Sequence, residues 1–367
     1  MQGPLERTTP GARRRLTSLP NIARNGVHEE RTQERRSPGR SLIYGDSRCG
    51  CVCAALLGKY SRRGAEVSQA GLRISVVVPA YNATKTIEAA LRSALEQELA
   101  PLEVIVVDDG SQDGTAEFVE REFPTVRMVR QQNAGPSAAR NTAGKLAQGD
   151  WLAFLDADDT WLPQKLRLQA AALEAAPEIG MCSTSWVRDR SQAPAQFSAE
   201  AMPTRRFRWH DILRLNRFQT STALVRKDLF ERVGGFRPEI DGTEDWDFWM
   251  RVAQHTDDLH LEIPLVVYTD EQGSYSKNSR RVYDAMHRML KTLGPPDGPV
   301  SAEEMHRLVA WHDVRFSYAF WRLHRSEDLR YALRHGRTQA SGWLMLQAAL
   351  FEFIPYILGR GARKVSR

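Results

Sequence analysis

The sequence predicts an α/β fold on a largely parallel sheet. Short β-branched runs recur along the chain, an amphipathic helical stretch separates each from the next, and two of the runs end in clustered carboxylates. Repeated βα units of this kind bury the strands on both faces, which is why the runs are almost continuously apolar. The first run is ISVVVPAYN (Ile74 to Asn82), with a helical stretch predicted from Thr84 to Gln97. A second run ends in EVIVVDDGSQDGT (Glu103 to Thr115), followed by a helix near Thr115 to Arg121 and a strand near Val126 to Arg130. A helix near Ser137 to Gln148 and a strand from Trp151 to Leu155 continue the alternation. Beyond residue 179 the pattern loosens: strands are expected near Met181 to Val187, Thr222 to Val225 and Leu261 to Tyr268, and a helix from Glu244 to about His255. Antiparallel additions to the parallel sheet account for that change. From Arg281 onward the chain reads as helices, broken at GPPDGP (Gly294 to Pro299).

With 367 residues, 42% hydrophobic and 26% charged, the chain has ordinary globular usage and length for one large domain with appendages. The net charge of +6 is a property of the ends. Residues 1–70 carry +7 and the last eight residues carry +4, from Arg360, Arg363, Lys364 and Arg367, leaving a mildly acidic middle. That distribution lacks the basic face of a nucleic-acid binder, and no nucleic-acid partner is expected. Residues 1–70 are rich in Arg, Ser, Gly and Pro without apolar periodicity, so they read as a disordered basic segment, or as translation from upstream of the natural start. Cys49, Cys51 and Cys53 in RCGCVC lack the paired C-x-x-C spacing of a zinc site, and Cys182 stands alone in the folded part, which suits a reducing, cytoplasmic setting. No run of 18 residues is both charge-free and apolar, so neither a transmembrane helix nor a secretory signal is expected.

In open α/β sheets ligands sit beyond the carboxyl ends of the strands, where this chain places Asp108-Asp109 and Asp156-x-Asp158-Asp159. Taken singly, Asp109, Ser111 and Asp113 are good turn and N-cap residues, and Asp159 or Thr160 could cap a helix beginning near Leu162. Together, five carboxylates on one edge repel one another unless a cation joins them. Mg²⁺ or Mn²⁺ held by one or two carboxylates plus substrate phosphates is the usual solution. Neither a G-x-G-x-x-G nor a Walker A sequence occurs, which removes the main support for a dinucleotide oxidoreductase or a P-loop NTPase.

The motifs VVVPAYN, VVDDGSQDGT, QNAGPSAARN, GDWLAFLDADDTWLPQKL, GGF and TEDWDFWMR follow one another in an order and spacing that resembles the family 2 glycosyltransferases. The resemblance covers roughly residues 74 to 280. It implies a GT-A fold, a Rossmann-like mixed sheet flanked by helices, and inverting transfer from a nucleotide sugar. The implied organisation is a catalytic domain over residues 71–280, with a nucleotide-binding half at 71–165 and an acceptor-binding half at 166–280. Residues 281–367 then form a C-terminal helical extension.

The resemblance further implies that Pro79, Ala80 and Tyr81 lie against the nucleotide base and that Asp109 contacts it. Arg140, in the loop and helix after Asn133, approaches base and phosphates, the competing reading being a helix-surface arginine. Asp156 and Asp158 match the D-x-D motif, Asp156 towards the ribose and Asp158 as ligand of Mn²⁺ or Mg²⁺. Asp245 matches the general base, the competing reading being an acidic residue that favours a helix N-terminus. Trp246, Phe248, Trp249 and Val252 read as core or sugar-pocket wall. A helix starting at Glu244 turns Asp247 away from Asp245 and pairs it with Arg251 at i+4. One departure is that Glu271, in TDEQGSYS, stands where many relatives carry a histidine. The Q-x-x-R-W signature of processive synthases is also missing, which favours single additions.

The expected function is transfer of a sugar from a nucleoside-diphosphate sugar, UDP first among them, to a glycan or lipid-linked acceptor in cell-surface polysaccharide biosynthesis. A nucleotidyltransferase that makes nucleotide sugars, and a sugar-nucleotide-binding protein without turnover, are the alternatives. Near the C-terminus, WLMLQAALFEFIPYIL (Trp343 to Leu358) beside four basic residues suits peripheral contact at the inner face of a membrane, and equally a helix packed on the catalytic domain.

Overall fold

The computed structural model describes residues 71–193, 202–269, 279–294 and 298–339, with isolated positions at 346, 349, 350 and 354, all within a compact unit that begins at Val67. The segment 1–70, Glu271 with Gly273 to Ser276, and most of Trp343 to Arg367 lie outside the described residues.

Nine strands form one sheet among the described residues: β1 (Ile74–Ala80), β2 (Glu103–Asp108), β3 (Arg127–Arg130), β4 (Trp151–Phe154), β5 (Thr160–Trp161), β6 (Met181–Val187), β7 (Thr204–Phe207), β8 (Leu224–Arg226) and β9 (Asp258–Val267). Their order is β3-β2-β1-β4-β8-β6-β9-β5, with β7 also paired to β9. β3, β2, β1 and β4 run parallel, β8 enters antiparallel between β4 and β6, and β5 and β7 run antiparallel to β9. The irregular stretch after residue 179 is thus the antiparallel extension expected of it, although β6 and β9 pair in parallel.

The β1 sequence shows why the sheet is covered twice. Val76 and Val78 enter one apolar cluster and Val77 the other, all with 0% exposure, as the twofold alternation of a strand requires. Helices α1 (Ile87–Leu95), α2 (Thr115–Glu122) and α4 (Lys165–Glu174) cover the Val76 face. On the Val77 face lie α3 (Pro136–Leu146), α5 (Trp209–Arg214), α6 (Lys227–Arg232) and α7 (Glu244–Ala253). The C-terminal helices α8 (Ser279–Lys291), α9 (Ala302–Arg322) and α10 (Ser326–Gln339) bury Met286, Leu308, Phe316, Phe320 and Ala332 in that same cluster. None of the helices among the described residues is long and apolar enough to cross a membrane.

Several predicted boundaries move. The first helix begins at Ile87 rather than Thr84, because Thr84 spends its N–H and hydroxyl on Asp113 (3.1 and 2.8 Å). The helix expected near Leu162 begins at Lys165, since Thr160-Trp161 pairs with β9 as a two-residue strand; neither Asp159 nor Thr160 is its cap. The strand expected from Thr222 begins at Leu224, after a 3₁₀ turn at Thr220–Thr222.

Register places the site. Ala80 pairs with Asp108 and Val77 with Phe154, so the carboxyl ends of β2 and β4 emerge side by side at one edge of the sheet.

Candidate active site

At the end of β2 the carboxylate of Asp109 is buried and accepts hydrogen bonds from Gln131 Nε2 (2.7 Å) and from the backbone N–H of Ala134 (2.9 Å) and Gly135 (2.7 Å). It therefore shapes the loop that leads into α3. The next loop residue, Gly110, has φ +79°, and a Cβ there would lie 3.1 Å from Asn133 N, so the two loops approach as closely as only glycine permits. Asp113 plays the turn role expected of it. A slight desolvation pushes its carboxyl up, but the hydrogen bonds its exposed carboxylate accepts from Thr115 and Thr84 outweigh this and hold it down at about 2. Asn82 and Ser111 tie the end of β1 to the same turn: Asn82 N–H donates to Ser111 Oγ and Gln112 N–H to Asn82 Oδ1, both at 2.9 Å. Beside them Tyr81 projects its ring into solvent at 53% exposure, while Ala80 is buried beneath.

Arg140 brings distant motifs together. It lies on the sheet-facing side of α3, where Ala139, Ala143 and Gly144 allow close packing, and it is 5% exposed, which removes the surface-arginine reading. Its Nη2 donates to Asp156 Oδ1 at 2.7 Å, its Nη1 lies 3.7 Å from Glu244 Oε1, and its guanidinium sits over the Phe236 ring at 5.3 Å. One buried cation thus joins the D-x-D segment after β4 to the T-E-D segment that opens α7. Burial alone would lower its pKa; the charges of Asp156 and Glu244 outweigh that and raise it.

The three carboxylates after β4 have separate environments. Asp156 is partly exposed and its backbone N–H donates to Ser221 Oγ at 3.0 Å. Asp159 is 1% exposed and accepts from Ser221 Oγ (2.5 Å) and from the N–H of Thr269 (2.9 Å). Burial first, and then the neighbouring Asp156, pushes its carboxyl up to about 8. Asp158 is partly exposed at the edge. Among the described residues no three His, Cys, Asp or Glu side chains group into an all-protein metal cage. The donor set at this edge, hard carboxylate oxygens from partly exposed Asp156 and Asp158, fits a cation completed by substrate phosphates rather than by protein.

Asp245 sits in the first turn of α7, partly exposed, accepting from Asn216 Nδ2 (2.8 Å) and from the N–H of Trp246 (2.6 Å). Desolvation first, and then the charge of Glu244, raises its carboxyl to about 6, against these hydrogen bonds and Arg140. Asp247 turns into the core, 1% exposed, and accepts both Arg251 Nε (2.9 Å) and Nη2 (2.7 Å), the expected i+4 pair. Arg251 also donates to the carbonyls of Val233 and Gly235, at 2.6 and 2.8 Å, fixing the GGF turn. Asn141 grips that turn from α3, donating to the Phe236 carbonyl (2.8 Å) and accepting from its N–H (2.7 Å). Phe248, Trp249 and Val252 are fully buried and Trp246 nearly so, which makes them core.

The sequence motifs do not reveal Ser221, Asn216 or Gln131. Each is an ordinary loop or turn residue whose partner lies 22 to 65 positions away. A cavity of about 570 Å³ lies between α5 and the N-terminal half of α9 and is lined by residues including His210, Arg214, Glu304, Arg307 and Trp311.

Residues 75–234 match the family model described as glycosyl transferase family 2. That segment of the chain is similar to the family 2 glycosyl transferases. An uncharacterized glycosyltransferase of Haemophilus influenzae is 26% identical over 182 residues, covering 49% of this chain and 62% of the relative. The Escherichia coli protein WfgD, a UDP-Glc:α-D-GlcNAc-diphosphoundecaprenol β-1,3-glucosyltransferase, is 41% identical over 103 residues, covering 27% of this chain and 40% of its own. The chain thus spans less than two thirds of either relative. In shape it is similar to Staphylococcus aureus TarS residues 1–349 in complex with UDP-GlcNAc (TM-score 0.54, 22% identity, covering 76% of this chain and 81% of that one). The fold is GT-A, as the motif order implies.

Proposed function

We propose that the protein is an inverting glycosyltransferase that moves one sugar from a nucleoside-diphosphate sugar, UDP-linked in the first instance, to a glycan or lipid-linked acceptor of cell-surface polysaccharide biosynthesis. The observation that carries this reading is Arg140, whose contacts with Asp156 and Glu244 hold a donor-side carboxylate and the neighbour of the Asp245 base on either hand of one buried cation. The names of the relatives support the donor and acceptor classes: WfgD uses UDP-Glc and a lipid diphosphate.

Inversion needs a single displacement. An acceptor hydroxyl attacks the anomeric carbon from one face, the bond to the nucleoside diphosphate breaks on the other, and the hydroxyl proton goes to a base. Asp245 is that base: with its carboxyl near 6 it is mostly ionised at pH 7 and still accepts a proton more readily than an ordinary aspartate. Asn216 and the Trp246 N–H orient the carboxylate. Pro79, Ala80, Tyr81 and the Asp109-shaped loop form the base side of the donor site, Asp156 takes the ribose and Arg140 sets the orientation of Asp156. Asp158 would hold Mn²⁺ or Mg²⁺, and such an ion supplies charge neutralisation on the departing diphosphate. Residues 71–165 make the nucleotide half and 166–280 the acceptor half. Peripheral membrane contact through the C-terminal segment would bring a lipid-linked acceptor within reach.

The test is Asp245→Asn, which keeps shape and hydrogen bonding and removes the base. UDP affinity, measured calorimetrically with Mn²⁺, should stay near wild type while transfer falls by about 10²- to 10⁴-fold. Transfer at the wild-type rate refutes the assignment.

A further inference from the structure

The family match ends at residue 234, and α9 begins 68 positions later, yet α9 touches the first turn of α7. The contact runs through Trp246. Its N–H donates to Asp245 Oδ1 (2.6 Å), its indole Nε1 donates to the Ile212 carbonyl of α5 (2.6 Å), and it is 3% exposed. From α9 the His312 ring meets the Trp246 ring edge-on at 5.2 Å, and the Arg315 guanidinium lies 5.6 Å from the same ring. His312 is fully buried and burial keeps it neutral; besides its approach to the Leu213 backbone of α5, its ring packs on Trp246 and Trp311. The rotation of α9 is set from its other side. Asp313, also fully buried, accepts from Tyr283 Oη (2.7 Å) and His287 Nε2 (2.8 Å) of α8.

We propose that α9 is a positioning element of the transfer reaction: His312 and Arg315 clamp Trp246, and Trp246 holds the Asp245 carboxylate in place and shielded from water. The proposal rests on Asp245 as the base and extends the machinery to residues outside the matched domain. Two further observations favour it. Trp246 is gripped from three elements at once, α5, α7 and α9, so its indole has little freedom to shift. In addition, desolvation is the largest influence on the partly exposed Asp245 carboxyl, so the packing around the start of α7 bears on it. The other groups acting on that carboxyl are Glu244, which raises it, and Asn216, the Trp246 N–H and Arg140 of α3, which lower it; none belongs to α9. A loosened clamp therefore acts by admitting water and misplacing the carboxylate, with no loss of charge pairing. Displacements of about 1 Å remote from the reacting atoms cost up to about a hundredfold in rate.

The experiment uses the full chain with Arg315→Ala, on the partly exposed side of α9, and His312→Ala, with His312→Phe as the variant that keeps a ring against Trp246. UDP affinity in the presence of Mn²⁺ reports the donor side and the integrity of the fold. Expected for both alanine variants are UDP affinity within about twofold of wild type, kcat lower by about ten- to a hundredfold, and an acid limb of the kcat–pH profile moved to lower pH. His312→Phe should recover most of kcat. Loss of UDP binding together with kcat in both alanine variants would reduce α9 to a general structural role and overturn the proposal. An unchanged kcat and pH profile in variants that bind UDP would overturn it too, leaving the base assignment intact if Asp245→Asn is inactive. Full activity of Asp245→Asn overturns the base assignment itself, whatever the α9 variants do.

Discussion

Replacing Arg140 by methionine tests the junction on which the site is built. The substitution keeps much of the stem and removes the cation. Lost are one charge-assisted hydrogen bond to Asp156 at 2.7 Å, a weaker approach to Glu244 at 3.7 Å and a contact with the Phe236 ring at 5.3 Å. The hydrogen bond is worth about 1.5–3 kcal/mol and a desolvated cation–ring contact about 1–2. Against this, Nε and Nη1 of Arg140 are buried without hydrogen-bond partners, so its removal also recovers a desolvation cost. Asp156, whose side chain is 28% exposed, regains water, while Glu244, at 14%, does so less. The net loss should be about 2–4 kcal/mol, at or below the usual range for breaking a buried ion pair. At roughly 2–4 °C per kcal/mol for a domain of this size, the melting temperature falls by about 5–15 °C, readable by calorimetry. Arg140 also lowers the Asp245 carboxyl, so its removal should move the acid limb of transfer to higher pH than in wild type. The reasoning is refuted if the variant melts within about 2 °C of wild type with an unmoved acid limb.

Asp158→Ala should abolish the Mn²⁺-dependent part of UDP affinity and leave metal-free affinity unchanged, as titration calorimetry with and without the ion will show. Asp258 is fully buried beside Ser183, and burial raises its carboxyl from 3.8 to about 8. The folded state then holds a proton the unfolded chain releases, so its contribution to stability falls progressively as pH rises from about 4 to about 8; Asp258→Asn should flatten that part of the melting curve relative to wild type. Gly235→Ala places a Cβ 2.4 Å from Asn141 Oδ1 at φ +73° and should destabilise by about 1–3 kcal/mol, measured by urea unfolding; a neutral effect would mean that the GGF turn is not held as described.

The sequence by itself determined the α/β class, the succession of βα units on the parallel side and the edge at which the carboxylates gather, because these depend on local apolar pattern and on where each strand stops. It also determined the pairing of Asp247 with Arg251, since four residues along a helix return to the same face. Tertiary structure alone decided which carboxylates are occupied. Asp113, Asp159 and Asp245 are the same kind of residue in similar acidic contexts, yet one is held near 2 by threonine hydrogen bonds, one pushed near 8 by burial and one left near 6, and the groups responsible come largely from other parts of the chain. Arg140 lies within a recognisable motif, but its burial and its reach to Glu244, 104 positions on, exist only once α3 and α7 share a face of the sheet. The same holds for His312 and Arg315, which no motif marks: an aromatic contact between α7 and α9 has no local signature, because its energy comes from surfaces that the chain brings together only on folding.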